Sequence, residues 1–251
     1  MAHLSPILSI MSEIANKASP RLRRDFGEIE LLQSSEAGAT AYAAKAAKRV
    51  TKQIYAELAT ARADYGFVFR TGEVVKGPDK THRWLIDPIA GQTNFAHAIP
   101  HFGIAITLER TQDKITAPVA SLIYNPISDE LFHSENGSGG FCNNNRLRVS
   151  QKQSLTGAVI ACSHSPLIET LQKADAHIRI SGGDAMDYAR VCAGRLDAII
   201  TPDVALWERA CATIFAQESG GLITEHKGAH KNLFIMGGES VCTLIKEAIS
   251  N

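Results

Sequence analysis

The spacing of apolar residues changes character near residue 150 of this 251-residue chain, and that change restricts the folds open to it. Over residues 4–18, Leu4, Ile7, Leu8, Met11, Ile14 and Ala15 recur at helical spacing, which predicts an amphipathic first helix. A second helix is predicted from about 41 to 61, rich in Ala and Lys, with Val50, Ile54 and Leu58 four apart. Residues 31–38 between them read as a loop or short strand. Trp84-Leu85-Ile86 is a short apolar run that predicts a strand stopping at Asp87-Pro88. Further strands are expected at 103–109, 119–124 and 130–133, with polar turns at Asn125-Pro126 and at 135–140. Helices followed by strands are an α+β pattern with an antiparallel sheet.

Beyond residue 150 the elements alternate. Strands are predicted at 158–162, 177–180, 197–200 and 222–224, and helices at 184–193, 207–219 and 239–250. That is an α/β pattern. A boundary near 145–155 divides the chain into an α+β half, 1–150, and an α/β half, 151–251, with a cleft between them.

Composition excludes several function classes. Twenty-six basic residues balance 26 acidic ones, so nothing points to a nucleic-acid surface. No stretch approaches the roughly 20 apolar residues that span a bilayer, and the first six residues lack a signal peptide's basic segment and apolar core. The five cysteines are odd in number, widely spread and free of metal-ligand spacing, which predicts small buried residues in a reducing, cytoplasmic setting.

The segment Ile86-Asp87-Pro88-Ile89-Ala90-Gly91-Gln92-Thr93-Asn94-Phe95 resembles the Asp-Pro-(Ile/Leu)-Asp-Gly-Thr-Thr-Asn-Phe signature of the inositol monophosphatase family. The likeness extends along the chain. Asn94–Phe102 is similar to the sequence after that signature, and Asn125–Phe132 to the family's Tyr-Asn-Pro hairpin. Arg179–Asp197 resembles its stretch ending Gly-Arg-Leu-Asp, and Trp207–Gly221 its second signature, Trp-Asp-x-Ala-Ala-Gly through Glu-Ala-Gly-Gly. Order and spacing favour the bacterial, extragenic-suppressor-like branch. The resemblance implies a layered α-β-α-β-α sugar-phosphatase fold, a homodimer, and Mg²⁺-dependent hydrolysis of inositol phosphate or a similar polyol phosphate.

The same resemblance shows what this chain lacks. Arg70 stands where the family's first acidic ligand belongs, with Glu73 as a substitute if its loop shifts. Asp87 matches a metal-bridging aspartate and Ile89 the position whose carbonyl ligates metal. Ala90 replaces the next carboxylate, Gln92 the water-positioning threonine, and Glu208 a shorter aspartate. An earlier family aspartate falls on Ala43, and the glutamate that meets the substrate's hydroxyl on Thr201. A guanidinium among metal ligands repels Mg²⁺. The expectation is a protein impaired or inactive as a phosphatase, with Mg²⁺ weakly held or absent and Asp87 and Glu208 as vestiges. Gly91, Gln92 and Arg70 would then bind phosphate, taking a phosphorylated polyol or an inorganic anion. Two alternatives stay open: an active Mg²⁺ phosphatase with a rearranged site, and a subunit paired with an active paralogue. Relatives associated with the transcription and ribosomal-RNA machinery add a protein partner to the candidates.

Other residues carry simpler readings. Asp184 reads as a helix N-cap beside Asp187. His97 and His101, separated by Pro100, read as surface or core-edge histidines. Ser163-His164-Ser165 lacks an acidic partner for a nucleophile. Glu218 reads as structural and Trp207 as a core anchor. Asp87 itself has a plain alternative, an aspartate that hydrogen-bonds the turn after it.

Overall fold

The structure is a computed structural model that describes residues 4–33, 35–202, 204–227 and 232–250, with the backbone alone for Ser165, Asp184 and Ser250. Met1, Ala2 and His3, part of the N-terminal segment read above, lie outside the described residues.

Helix α1 runs over Pro6–Glu30, well past the end at residue 18 that the apolar spacing predicts. Ser5 caps it by accepting the Leu8 N–H at 3.2 Å, and Pro6 occupies the first turn, where no N–H is needed. The extension passes through Pro20, which cannot donate to the carbonyl of Asn16 four residues earlier. The hydroxyl of Ser19 donates to that carbonyl at 2.9 Å instead. Buried Leu22, Phe26 and Ile29 then give the extra turns an apolar face. Helix α2, Glu36–Ala61, starts five residues before the predicted 41 because Ser35 accepts the Gly38 N–H.

Next come β1 (Gly66–Phe69), β2 (Val74–Val75), β3 (His82–Ala90), the short α3 (Gln92–Ala96), β4 (Gly103–Gln112), β5 (Ile115–Asn125), β6 (Glu130–Glu135), β7 (Gly139–Cys142) and β8 (Asn145–Arg146). They form one sheet in the order β2-β1-β3-β4-β5-β6-β7-β8. It is antiparallel apart from β1 and β3, which run parallel. Strand β3 does not stop at Asp87-Pro88 as predicted. It continues to Ala90 through a bulge between Asp87 and Ala90, a device that re-aims side chains where pairing shifts.

The remainder is β9 (Val159–Cys162), α4 (Ser165–Lys173), β10 (His177–Arg179), α5 (Asp184–Cys192), β11 (Ala198–Pro202), α6 (Leu206–Ser219), β12 (Leu222–Lys227), β13 (Asn232–Gly237) and α7 (Glu239–Ser250). The second sheet has the order β10-β9-β11-β13-β12. The sequence reading does not contain α4 or β13, although Leu233–Met236 is an unbroken apolar run of strand length. Gly183, and not Asp184, is the N-cap residue of α5.

The layers stack as α1/α2, first sheet, α5/α6, second sheet, α4/α7, the α-β-α-β-α order that the resemblance implies. Helices α5 and α6 lie in one core with Ile123 and Phe132 of the first sheet and Phe234 and Met236 of the second. Glu218 of α6 also accepts the backbone N–H groups of Gly137 and Gly139 at 2.8 and 2.6 Å, so its role is structural. All five cysteines are buried and free. Among the described residues no helix is long and apolar enough to cross a membrane.

The Ser19 hydroxyl offers a direct check on the extended α1. Ser19→Ala strands the Asn16 carbonyl and should cost about 1–2 kcal/mol by urea unfolding. In a Pro20→Ala background, where a backbone N–H returns, the same change should cost less than half as much.

Candidate functional site

Register brings the first site residues together. Phe69 of β1 lies opposite Ile86 of β3, so the residues that follow, Arg70 and Asp87, are neighbours across the strands. The Arg70 N–H donates to the Ile86 carbonyl at 3.0 Å, fixing the backbone at that point. The Arg70 side chain then places Nε 3.2 Å from Asp87 Oδ2 and donates from Nη1 to Gln92 Oε1 at 2.8 Å. Arg70 is half-exposed, whereas Asp87 is buried at 4% exposure. The other Asp87 oxygen accepts the Ile89 N–H at 3.2 Å, which is the turn-stabilising bond expected of an aspartate before proline.

Burial pushes the Asp87 carboxyl up to about 7. The Arg70 guanidinium and the Ile89 N–H pull it back, and the charge of Glu208 adds to the upward push. A single half-exposed guanidinium therefore compensates the buried carboxylate only in part.

Glu208 sits in the first turn of α6, where Oε2 accepts the Ala205 N–H at 3.0 Å. This is half of a capping box, since Ala205 has no side-chain oxygen to return the bond. Asp87 and Glu208 line one small cavity of about 10 Å³, otherwise walled by Leu85, Ala90, Ala105, Thr107, Ala185, Trp207 and Cys211. That is room for about one water molecule. Two Mg²⁺ ions, each with near-octahedral oxygen coordination, need more ligands and more space. No group of three or more His, Cys, Asp or Glu side chains able to hold a metal occurs among the described residues. The residues present do not fit the two-metal centre of the family.

Gly91 is required where it stands. Its φ is +92°, and a Cβ there would lie 2.8 Å from the His101 carbonyl oxygen. It opens α3, which has five residues. Glu73 is exposed in the turn between β1 and β2 and is not gathered with Asp87 and Glu208. Ala43 is fully buried among the α1–α2 contacts. Thr201 is buried and accepts the Ser163 hydroxyl at 3.3 Å. A wider groove of about 890 Å³ opens beside Arg70, between α2 and the β1–β2 turn, with Pro88, Gln92 and Trp207 at its edge. Trp207 is half-buried: it packs on the small core of Val68, Leu85 and Ala210 and also lines this groove.

One network is absent from the sequence reading. His101, buried at 7% exposure, pairs through Nε2 with Asp187 Oδ1 at 2.9 Å, and Ser181 donates its hydroxyl to the other Asp187 oxygen. Asn94 of α3 donates to the carbonyls of His101 and Ser181 at 2.9 and 2.8 Å. These bonds fasten the segment after Gly91 to the N-terminal end of α5. His97 is exposed.

The carboxyl of Asp87 generates a pH prediction. A group whose value rises from 3.8 to about 7 on folding makes the folded state bind more protons than the unfolded state between those limits. Its contribution to stability therefore falls as pH rises through that window and is flat above it. Relative to wild type, Asp87→Asn should gain on the order of 1–3 kcal/mol between pH 4 and pH 8, measured by urea unfolding at each pH.

Comparison with known proteins agrees with this fold and these motifs. The pattern of the inositol monophosphatase family matches residues 3–249. An inositol-1-monophosphatase from Rhizobium meliloti is 37% identical over 98% of this chain and 96% of its own length. A protein named Nus factor SuhB from Xylella fastidiosa is 29% identical over 96% of this chain and 89% of its own. The crystal structure of the extragenic suppressor protein suhB from Bartonella henselae superposes with a TM-score of 0.86 at 34% identity, covering 98% of this chain and all of that one. The motifs, the five layers and the matched length agree, and the chain belongs to the inositol monophosphatase family.

Proposed function

We propose that this protein is a family member whose phosphatase centre no longer assembles its metal ions, and that it is retained for binding an anion or a protein partner. The observation that carries the reading is the Arg70–Asp87 contact, Nε to Oδ2 at 3.2 Å. Asp87 is the carboxylate that the resemblance assigns to bridging metals, and a guanidinium holds the oxygen a metal would take. Ala90 contributes no ligand, and Glu208 caps its own helix. In this reading Asp87, Ile89 and Glu208 are vestiges of the metal site, and Arg70 with Gly91 and Gln92 faces an anion. A cytoplasmic homodimer, with the site between residues 1–150 and 151–251, completes the proposal by family analogy.

One second reading has support. Asp87 and Glu208 line the same cavity, and relatives at 36–38% identity carry the name inositol-1-monophosphatase. A rearranged site that turns over inositol phosphate or a similar monoester with Mg²⁺ is consistent with both. Relatives named Nus factor SuhB, at 24–29% identity, support the protein-partner branch of the first reading.

Phosphate release decides between them. Inositol 1-phosphate and 4-nitrophenyl phosphate are each incubated with Mg²⁺ up to about 20 mM, enough to load a weak carboxylate site. The first reading expects wild type to be silent and the Arg70→Glu, Ala90→Asp, Glu208→Asp triple variant to gain roughly 10²-fold or more. Turnover by wild type that is abolished by Asp87→Asn would establish the second reading instead.

A further inference from the structure

The groove beside Arg70 has chemistry that the metal-site comparison does not use. Lys48 and Lys52 stand one turn apart on α2, both exposed and both lining it. Neither has an ion-pair partner among the described residues. Like charges four apart on a helix repel, so their pairing is unfavourable until an anion lies between them. Arg70 adds a third cation to the wall, against Glu73 as the single carboxylate lining the groove.

Three aromatic residues, Tyr55, Phe69 and Trp207, line the same groove. Tyr55 packs edge-on to Phe69, with ring centroids 5.8 Å apart, and Trp207 joins the lining from α6. Four segments bound the space: α2, the β1–β2 turn, the Pro88–Gln92 stretch and the start of α6. A concavity of about 890 Å³ enclosed in this way has the size and lining of a small-molecule site, where an extended peptide would need an open channel. Cations and aromatic rings lining one concavity match a flat ring system that carries a negative head.

We propose that this groove binds a small aromatic oxyanion, its head on Lys48 and Lys52 and its ring system on Tyr55, Phe69 and Trp207. This deepens the anion-binding branch of the function proposed above, and it holds whether or not the phosphatase centre works. The occupant lies on the α2 side of Arg70, outside the small cavity that Asp87 and Glu208 share.

The test uses naphthalene-2-sulfonate, which cannot be hydrolysed and so keeps binding separate from turnover. Calorimetric titration of the full chain in EDTA should give saturable binding. Inorganic sulfate (the head alone) and 2-naphthol (the body alone) should each bind at least about tenfold more weakly. Lys48→Ala/Lys52→Ala should weaken naphthalene-2-sulfonate by about tenfold or more, while Lys114→Ala/Lys173→Ala, which removes equal charge outside the groove, should not. Tyr55→Leu should weaken 2-naphthol and the sulfonate together. Four results would overturn the proposal: no binding of the sulfonate, equal binding of sulfate, an unchanged affinity in the Lys48/Lys52 variant, or an acidic peptide binding without competition from the sulfonate.

Discussion

A carboxylate buried within β3 needs a counter-charge, and the surroundings of Asp87 answer that need. Its strand continues past it through a bulge, its neighbours are Leu85, Ala90 and Ala105, and its own oxygens reach one backbone N–H and one guanidinium. Removing such a group from water is costly unless it is paired or neutralised. In a metal-loaded phosphatase of this fold the divalent ions supply the compensation. Here the parallel register of β1 on β3 brings Arg70 alongside, and in the function proposed above its guanidinium stands in for the ions. The exchange is incomplete, because Arg70 is half-exposed and Asp87 is pushed to about 7. Partial protonation of the Asp87 carboxyl supplies the remainder near neutral pH.

The rest of the site is held rigidly around Asp87. Helices α5 and α6 serve both sheets, so the walls carrying Glu208 and Trp207 cannot move without disturbing two cores. Asn94, His101, Ser181 and Asp187 link α3 to the start of α5 by buried polar bonds, which are costly to leave unmade. The small cavity at Asp87 and Glu208 is thus a packed feature, with Ala90, Ala105 and Ala185 among the residues that wall it. The larger space has opened on the other side of Arg70, against α2.

Much of the layer order was legible from the two signatures and from the change in periodicity near residue 150. Single residues then set how far local pattern reached. Pro20 signals a helix end, yet α1 continues because Ser19 satisfies the carbonyl that proline strands, a repair visible only once the turn is built. The α4 segment is nine residues long and begins with Ser165-Pro166, so Leu167, Ile168 and Leu171 repeat over too short a span to mark a helix by periodicity alone. The substitutions Arg70, Ala90, Gln92 and Glu208 could be named from the chain. That Arg70 reaches both Gln92 and Asp87 depends on strand register across residues far apart in sequence. The His101–Asp187 pair, 86 residues apart, is hidden for the same reason.

Anomalous scattering from a crystal soaked in Mn²⁺ tests the central claim most directly, since Mn²⁺ accepts the oxygen ligands that Mg²⁺ prefers. If Arg70 has replaced the metal at Asp87, no anomalous peak lies between Asp87 and Glu208, and the guanidinium stays on the Asp87 carboxylate. A peak bridging Asp87 and Glu208, with Arg70 swung away, would contradict the account.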